Sequence, residues 1–237
     1  MDIDFLLSTA QELLAALPIT LALFICCVTL GCVFALGLVA MRVSSNPILS
    51  GFAKVYIFIF RGSPLMVQMF LIYYGLGQFA AIRQSFAWVV LRDPFNCAVL
   101  ALALCTGGYQ AEIMRGGLQA VPAREIEAAR AIGMSGFRLL RRIIVPIAIR
   151  QALPTYSTEM VLMVKSTALA SLVTVWEMTG VAQRLITQTY RTMEIFLITA
   201  AIYLFLNFVL VRIFGLIDYL MSPHLRARST PSSGPDT

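Results

Sequence analysis

Long apolar runs without charged residues constrain this chain more than any other feature. Residues 17–41 and 62–82 contain no Asp, Glu, Lys or Arg, and about 20 helical residues cross a hydrocarbon core that is about 30 Å thick. Only 13% of the 237 residues are charged, against roughly 25% in soluble globular proteins. Because backbone N–H and C=O groups in lipid must be paired internally, the runs predict an all-α membrane protein.

The apolar runs predict five transmembrane helices. Their expected positions are residues 17–41, 58–82, 94–114, 154–176 and 195–218. The fourth is the least regular of them because it contains Glu159 and Lys165. Charges at that depth are costly. Either the segment does not cross the membrane, or the two charges mark a functional site.

The basic residues are divided unevenly between the ends of these spans. Seven arginines lie within residues 115–150, whereas the opposite side carries Arg83, Arg92, Arg184 and Arg191. Since Lys and Arg accumulate on the cytoplasmic side of membrane proteins, the pattern predicts that the N-terminus lies outside the cytoplasm and the C-terminus inside.

Both ends of the chain differ from the apolar spans. Residues 1–16 contain no Lys or Arg, so they lack the basic region of a cleavable signal. Their apolar residues Phe5, Leu6, Leu13 and Leu14 predict an amphipathic helix on the outer surface. The tail at residues 222–237 contains the one histidine, His224, and is expected in the cytoplasm, and the Ser and Pro content of residues 229–237 predicts disorder there.

Several function classes are disfavoured by composition. The net charge of +6 is spread between apolar runs and does not form the basic face of a nucleic-acid-binding domain. The five cysteines lie in apolar segments without CxxC spacing, so no metal site is expected. A phosphate-binding P-loop needs a lysine after glycine, but Lys54 and Lys165 follow Ala53 and Val164. We therefore expect no ATP hydrolysis by this chain and no catalytic residues.

The long segment between the third and fourth spans, residues 115–150, is more than a linker. Pro122 can begin a helix, because its missing N–H would be unpaired there, and Gly133 can end one in a left-handed conformation. This predicts a short independent helix over residues 123–132. Ser135 can then cap a second, basic helix. One interpretation is an amphipathic loop bound to anionic lipid through its arginines.

The spacing of residues in this loop favours a more specific interpretation. Glu127, Ala128 and Ala129 are followed by Gly133, and then by Ile143 and Pro146. This pattern resembles the EAA loop of ABC importer permeases, apart from Val145 where leucine usually precedes the proline. Three further stretches resemble the polar amino-acid branch of that family, especially permeases for histidine, lysine, arginine and ornithine and those for opines. These stretches are residues 60–68, 112–117 and 165–169.

The resemblance implies a type I ABC importer permease in a bacterial inner membrane. Glu127, Ala128, Ala129 and Gly133 would then form the helix that docks on the ATPase. The implied partners are two ATP-binding subunits, an identical or paralogous permease, a periplasmic solute-binding protein and membrane lipid, with no nucleic acid. ATP and Mg would be bound by the partner ATPase, and this chain would hold no cofactor.

Charged residues inside the predicted spans are candidates for substrate binding. Glu112 and Arg115 are three residues apart and share a helix face, so a structural pair is favoured over direct substrate contact by Glu112. Glu159 has no such neighbour, and Ser166 lies on its face. We hypothesise that Glu159, with Ser166 or Thr167, binds a positively charged amino acid. Alternatively, Glu159 pairs with a basic residue at the membrane boundary. Lys165 either contacts the carboxylate of the substrate or completes a buried ion pair.

Two sequence features predict irregular or close helix packing. Gly107 and Gly108 lie within the third span and permit unwinding or close packing, of which close packing is the commoner. Pro64 breaks the second helix near Arg61, which can reach lipid phosphate. The break is either part of an inner gate or a packing bend.

The sequence favours alternating access driven by a partner ATPase. Motion of the helix over residues 123–132 would pass through the basic helix into the fourth span and open the cavity. A secondary transporter driven by an ion gradient is the alternative, although such proteins usually contain internal repeats. A membrane enzyme is disfavoured because no catalytic constellation is found.

Overall fold

The computed structural model describes residues 3–221, in which all regular secondary structure is helical and no β-strand occurs. Eleven α-helices follow one another, joined in places by short π- or 3-10 turns. Their bounds are α1 Ile3–Val43, α2 Pro47–Gly62, α3 Leu65–Phe70, α4 Ala80–Arg83, α5 Ala87–Leu91, α6 Pro94–Gln119, α7 Ala123–Ala131, α8 Gly136–Leu139, α9 Val145–Ser166, α10 Met178–Thr189 and α11 Thr192–Met221. The predicted tail at residues 222–237, with His224, lies outside the described residues.

The first helix is longer than predicted. α1 runs unbroken for 41 residues with Pro18 inside it, so the expected boundary between residues 16 and 17 is absent. Leu13 and Ala16 are buried in a cluster with residues of α10 and α11. These contacts join the start of α1 to helices more than 160 residues later in the chain, and the predicted position of this segment on the outer surface stays a prediction.

Small residues let α1 and α6 pack closely at the centre of the fold. A Cβ atom on Gly107 would lie 3.0 Å from Phe34 Cβ and 3.2 Å from the carbonyl oxygen of Gly31. α6 continues through Gly107 and Gly108 without a break. Close packing, rather than unwinding, is therefore the reason for the glycine pair.

The second predicted span is sharply broken. Pro47–Gly62 and Leu65–Gln78 meet at 104°, so the predicted break of the second helix at Pro64 is present. Proline disfavours helical geometry in the residue before it and has no N–H, and Ser63 adopts an extended conformation with ψ 148°. The buried amide of Gln68 donates to the carbonyls of Phe60 at 2.9 Å and Ser63 at 3.1 Å, which stabilises the break.

The fourth predicted span is part of a long helical rod. Gly136–Val173 continues from the basic segment into the apolar one and then bends by 51° into Met178–Thr189. Thr174 makes this turn in a left-handed conformation, with φ 64°. Three helices are long and apolar enough to cross a membrane, or up to five if each bent pair is one span. The count of five spans and their orientation stay predictions.

Candidate transport site and coupling loop

A cavity of about 730 Å³ lies between the end of α2, the C-terminal half of α6 and the middle of α9. Its polar lining includes Arg61, Tyr109, Glu112, Thr155, Thr158 and Glu159. We call it the transport cavity. It brings together Glu112 and Glu159, two of the residues that the sequence singled out, with one arginine that was expected to face lipid.

Glu159 is a buried carboxylate at the wall of the transport cavity. It is only 7% exposed, and the Thr106 hydroxyl of α6 donates a hydrogen bond of 3.4 Å to its Oε1 atom. No Lys or Arg side chain among residues 3–221 forms an ion pair with it. The alternative prediction, a pair between Glu159 and a basic residue at the membrane boundary, stays a prediction.

Ser166 and Thr167 are not brought to the transport cavity. The cavity ends at Leu162 along α9, and Ser166 is seven residues beyond Glu159, about 10.5 Å along the helix axis. The Ser166 hydroxyl donates to the Leu162 carbonyl at 3.0 Å, and the buried Thr167 hydroxyl donates to Val164 at 2.7 Å. Both hydroxyls donate to backbone carbonyls of the preceding turn. The shared helix face did not predict this.

Glu112 belongs to an ion-pair network. Its Oε2 atom accepts from Arg115 Nε at 2.9 Å and from Arg115 Nη2 at 2.7 Å, which confirms the predicted local pair. Its Oε1 atom lies 3.5 Å from Arg42 Nε of α1. Arg115 also donates to Gln119 at 2.7 Å. Because two arginines already neutralise Glu112, a direct role in binding a cation is disfavoured.

Arg61 is the cavity residue whose place the sequence did not indicate. Its guanidinium carbon lies 4.8 Å from the centre of the Tyr109 ring. It lines the transport cavity and also a second cavity of about 430 Å³, which we call the basic cavity because Arg42 and Lys54 line it too. The contact joins positions 48 residues apart in the chain, so no local pattern could have predicted it.

The segment at residues 115–150, which we call the coupling loop, has the geometry that its sequence predicted. α7 begins after Pro122 and spans Ala123–Ala131. Gly133 has φ +82°, and its N–H donates to Arg130 at 2.9 Å while the N–H of Met134 donates to Ala129 at 3.0 Å. This pair of bonds is the Schellman arrangement, which favours glycine at its left-handed position. The predicted helix with its glycine end is confirmed.

The two faces of α7 differ in exposure. Glu127 and Ala128 are exposed, whereas Ala129 is 5% exposed and packs towards the protein. Ser135 lies at the predicted N-cap position, but its side chain makes no capping hydrogen bond. The exposed surface of α7 therefore includes Glu127 and Ala128, while Ala129 packs against the rest of the protein.

A second buried carboxylate, Glu177, was missed. It is fully buried at the start of α10, where it accepts from the N–H of Gly180 and from the Tyr203 hydroxyl of α11, each at 2.9 Å. The adjoining N–H of Met178 donates to the Thr20 hydroxyl of α1 at 3.1 Å. Glu177 thus connects α10 and α11 and has no open cavity beside it among those described.

The long apolar helices, the cavity with charged walls and the projecting helix define a membrane transport subunit of the permease class. A family model described as a binding-protein-dependent transport system inner membrane component matches residues 28–222. The chain belongs to this family.

Individual relatives agree with the family assignment. The octopine transport system permease protein OccM of Rhizobium radiobacter is 53% identical over 225 residues, which cover 95% of this chain and 92% of OccM. The histidine/lysine/arginine/ornithine transport system permease protein HisM of Escherichia coli K12 is 41% identical over 213 residues, 90% of each chain.

A solved structure extends the likeness to the fold. The crystal structure of an amino acid ABC transporter with histidines aligns with a TM-score of 0.81 and 32% identity, covering 92% of this chain and 98% of that one. The resemblance to the polar amino-acid branch of ABC importer permeases is confirmed, as is the all-helical permease fold. The relatives are permease subunits and leave ATP hydrolysis to a separate subunit.

Proposed function

We propose that this chain translocates a basic amino acid, or an opine that carries a basic group, across the bacterial inner membrane. Relatives named for octopine and for histidine, lysine, arginine and ornithine support this substrate class. These molecules share a carboxylate with a basic side chain or guanidinium group. A cavity for them needs at least one anionic residue that is not already neutralised.

Glu159 carries the proposal. A buried carboxylate without an ion-pair partner is costly, and the cost is offset when a bound cation supplies the missing charge. The Thr106 hydrogen bond holds one carboxylate oxygen and leaves the group able to accept from a guanidinium or ammonium group. Glu112, although it lines the same cavity, is already neutralised by Arg42 and Arg115. Glu159 is therefore the cation-binding residue.

The coupling loop connects the permease to its ATPase in this proposal. The exposed residues Glu127 and Ala128 of α7 dock on an ATP-binding subunit, and the turn at Gly133 sets the angle at which α7 stands. Two such subunits bind ATP and Mg on the cytoplasmic side. An identical or paralogous permease completes the pathway, and a periplasmic solute-binding protein delivers the substrate.

The proposed topology has a periplasmic N-terminus, a cytoplasmic loop at residues 115–150 and a cytoplasmic C-terminus. ATP-driven closure of the ATPase subunits displaces α7. α6 leads into α7, and the rod Gly136–Val173 follows it. Because these two elements also form walls of the transport cavity, the displacement changes the access of the cavity from one side of the membrane to the other.

Uptake of radiolabelled arginine by a Glu159→Gln variant tests this assignment. We expect at least about a tenfold loss of uptake, because a charge-assisted hydrogen bond is removed. Asp218→Asn in α11 is the matched control, since it also neutralises a carboxylate but lies away from the cavity. Assembly is verified by the yield of copurifying ATPase. Undiminished uptake in an assembled Glu159→Gln complex removes Glu159 from the binding site.

A further inference from the structure

We propose that Arg61 binds the carboxylate group of the transported molecule and makes a free carboxylate a requirement for recognition. This inference rests on the proposed function, because it assigns the opposite charge in the same transport cavity. Arg61 and Glu159 both line that cavity, and no salt bridge joins their side chains. The cavity thus presents one cation and one anion, neither of which is in a salt bridge within residues 3–221.

Arg61 differs from Arg42 and Arg115 in forming no salt bridge with a carboxylate among residues 3–221. Arg42 and Arg115 are both bound to Glu112, whereas the guanidinium of Arg61 makes no hydrogen bond or ion pair with any residue from 3 to 221. Lys54 lies two turns earlier on α2 and lines only the basic cavity. Of the Lys and Arg residues that line the two cavities, Arg61 is therefore the one that lines the transport cavity with Glu159 and is not in a salt bridge.

Tyr109 positions Arg61 through two contacts. The guanidinium lies over the Tyr109 ring at 4.8 Å, and the Tyr109 hydroxyl donates to the backbone carbonyl of Arg61 at 3.5 Å. That carbonyl lacks an ordinary helical partner because α2 ends at Gly62, before Pro64. A ring beneath the flat face of a guanidinium leaves its N–H groups free at the edge, where they can bind a carboxylate with two parallel hydrogen bonds.

The helix break fixes the position of this arginine in the cavity wall. Gln68 bonds the carbonyls on both sides of the turn, those of Phe60 and Ser63. Gly108 of α6 lies against this segment, since a Cβ atom there would be 3.5 Å from Arg61 Cγ. The aliphatic part of Arg61 therefore rests on α6, and its charged end faces the cavity. This arrangement suits an α-amino acid whose carboxylate meets Arg61 while its cationic group meets Glu159.

The proposal predicts which ligands are recognised. Arginine amide keeps both cationic groups of arginine and lacks only the negative charge, so it isolates the contribution of Arg61. The probe is binding to the purified permease–ATPase complex in lipid nanodiscs, without the solute-binding protein, measured as the Kd of arginine and of arginine amide. We expect the complex to bind arginine about 10- to 150-fold more tightly than the amide, the range of a hydrogen bond to a charged group.

The variant Arg61→Gln is expected to raise the Kd of arginine by that factor and to leave the Kd of the amide unchanged. Arg83→Gln, which removes an exposed arginine from α4, serves as the matched control and keeps the preference. Tyr109→Leu removes the supporting ring and reduces the preference while Arg61 remains. This second variant keeps the test informative if Arg61→Gln does not assemble.

The outcomes separate this inference from the proposed function. If Arg61→Gln, or Tyr109→Leu when the first does not assemble, retains the full preference for arginine over its amide, the assignment of Arg61 is overturned. The proposed function stands in that case, provided that Glu159→Gln still weakens arginine binding. If the unmodified complex binds arginine and its amide equally, Arg61 is again excluded. A complex that binds no basic amino acid contradicts the proposed function and this inference together.

Discussion

The carbonyl oxygen of Ala148 on α9 lies 2.5 Å from the position that a Cβ atom would occupy on Gly117 of α6. The Cβ atom of Ala152 would lie 2.9 Å from the same position. These two helices flank the coupling loop, and they meet without a side chain between them. The close approach ties the base of the loop to the wall of the transport cavity, which Gly117 and Ala152 also line.

Gly117→Ala is expected to destabilise the protein by about 1 to 3 kcal/mol, the usual cost of overpacking, because the added methyl group meets the α9 backbone. The neighbouring Gly116 has no atom within 4 Å of its Cβ position, which makes Gly116→Ala a matched control with a neutral or slightly stabilising effect. Thermal unfolding of the two purified variants in detergent checks this. Equal melting temperatures would contradict the close packing.

Elements that depend on neighbouring residues could be predicted from the sequence. Pro122 and Gly133 specify the two ends of α7 by the chemistry of their own backbone. Glu112 and Arg115 are one helical turn apart, so their pairing needed only a helix. The apolar runs required helices because lipid offers no partner for the backbone.

Relationships between distant segments could not be predicted in the same way. Arg61 meets Tyr109 because α2 packs against α6, and no pattern of neighbouring residues specifies that contact. Glu177 finds Tyr203 on a helix 26 residues later. Ser166 does not line the transport cavity with Glu159. Their shared helix face predicted only that they point the same way, and it does not specify where the cavity ends.

Gly133→Ala is expected to impair assembly with the ATPase. A left-handed conformation costs a residue with a Cβ atom about 1 to 2 kcal/mol, so the end of α7 shifts or frays. The measurement is the yield of copurifying ATPase together with substrate uptake. Gly37→Ala in α1 is the control, since Gly37 has open space around its Cβ position and no positive φ. Unchanged yield and unchanged uptake in Gly133→Ala would count against the docking role.

Gln68→Leu is expected to lower stability by about 1 to 3 kcal/mol, because the carbonyls at the helix break lose a buried donor. Two carbonyls, those of Phe60 and Ser63, accept from this amide. Gln84→Leu, at an exposed position after α4, is the control for the change in polarity. Thermal unfolding measures both, and a melting temperature for Gln68→Leu equal to that of the control would argue that the break holds without the amide.

Tyr203→Phe is expected to cost about 1 to 3 kcal/mol, because the fully buried Glu177 loses the hydrogen bond from the Tyr203 hydroxyl. Tyr190→Phe is the matched control, since the Tyr190 side chain is exposed. Denaturation of the purified complex compares the two. If Tyr203→Phe is as stable as Tyr190→Phe, the bond between α10 and α11 does not stabilise the fold.

We expect this permease to move a basic amino acid only when a separate ATPase drives it through the coupling loop. The most direct test is accumulation of radiolabelled arginine in proteoliposomes that contain the permease, its ATPase and the solute-binding protein. We predict accumulation with ATP and none when an imposed proton or sodium gradient replaces it. If the permease alone accumulates arginine when only an ion gradient is imposed, without ATP or the ATPase, transport driven by a separate ATPase is contradicted.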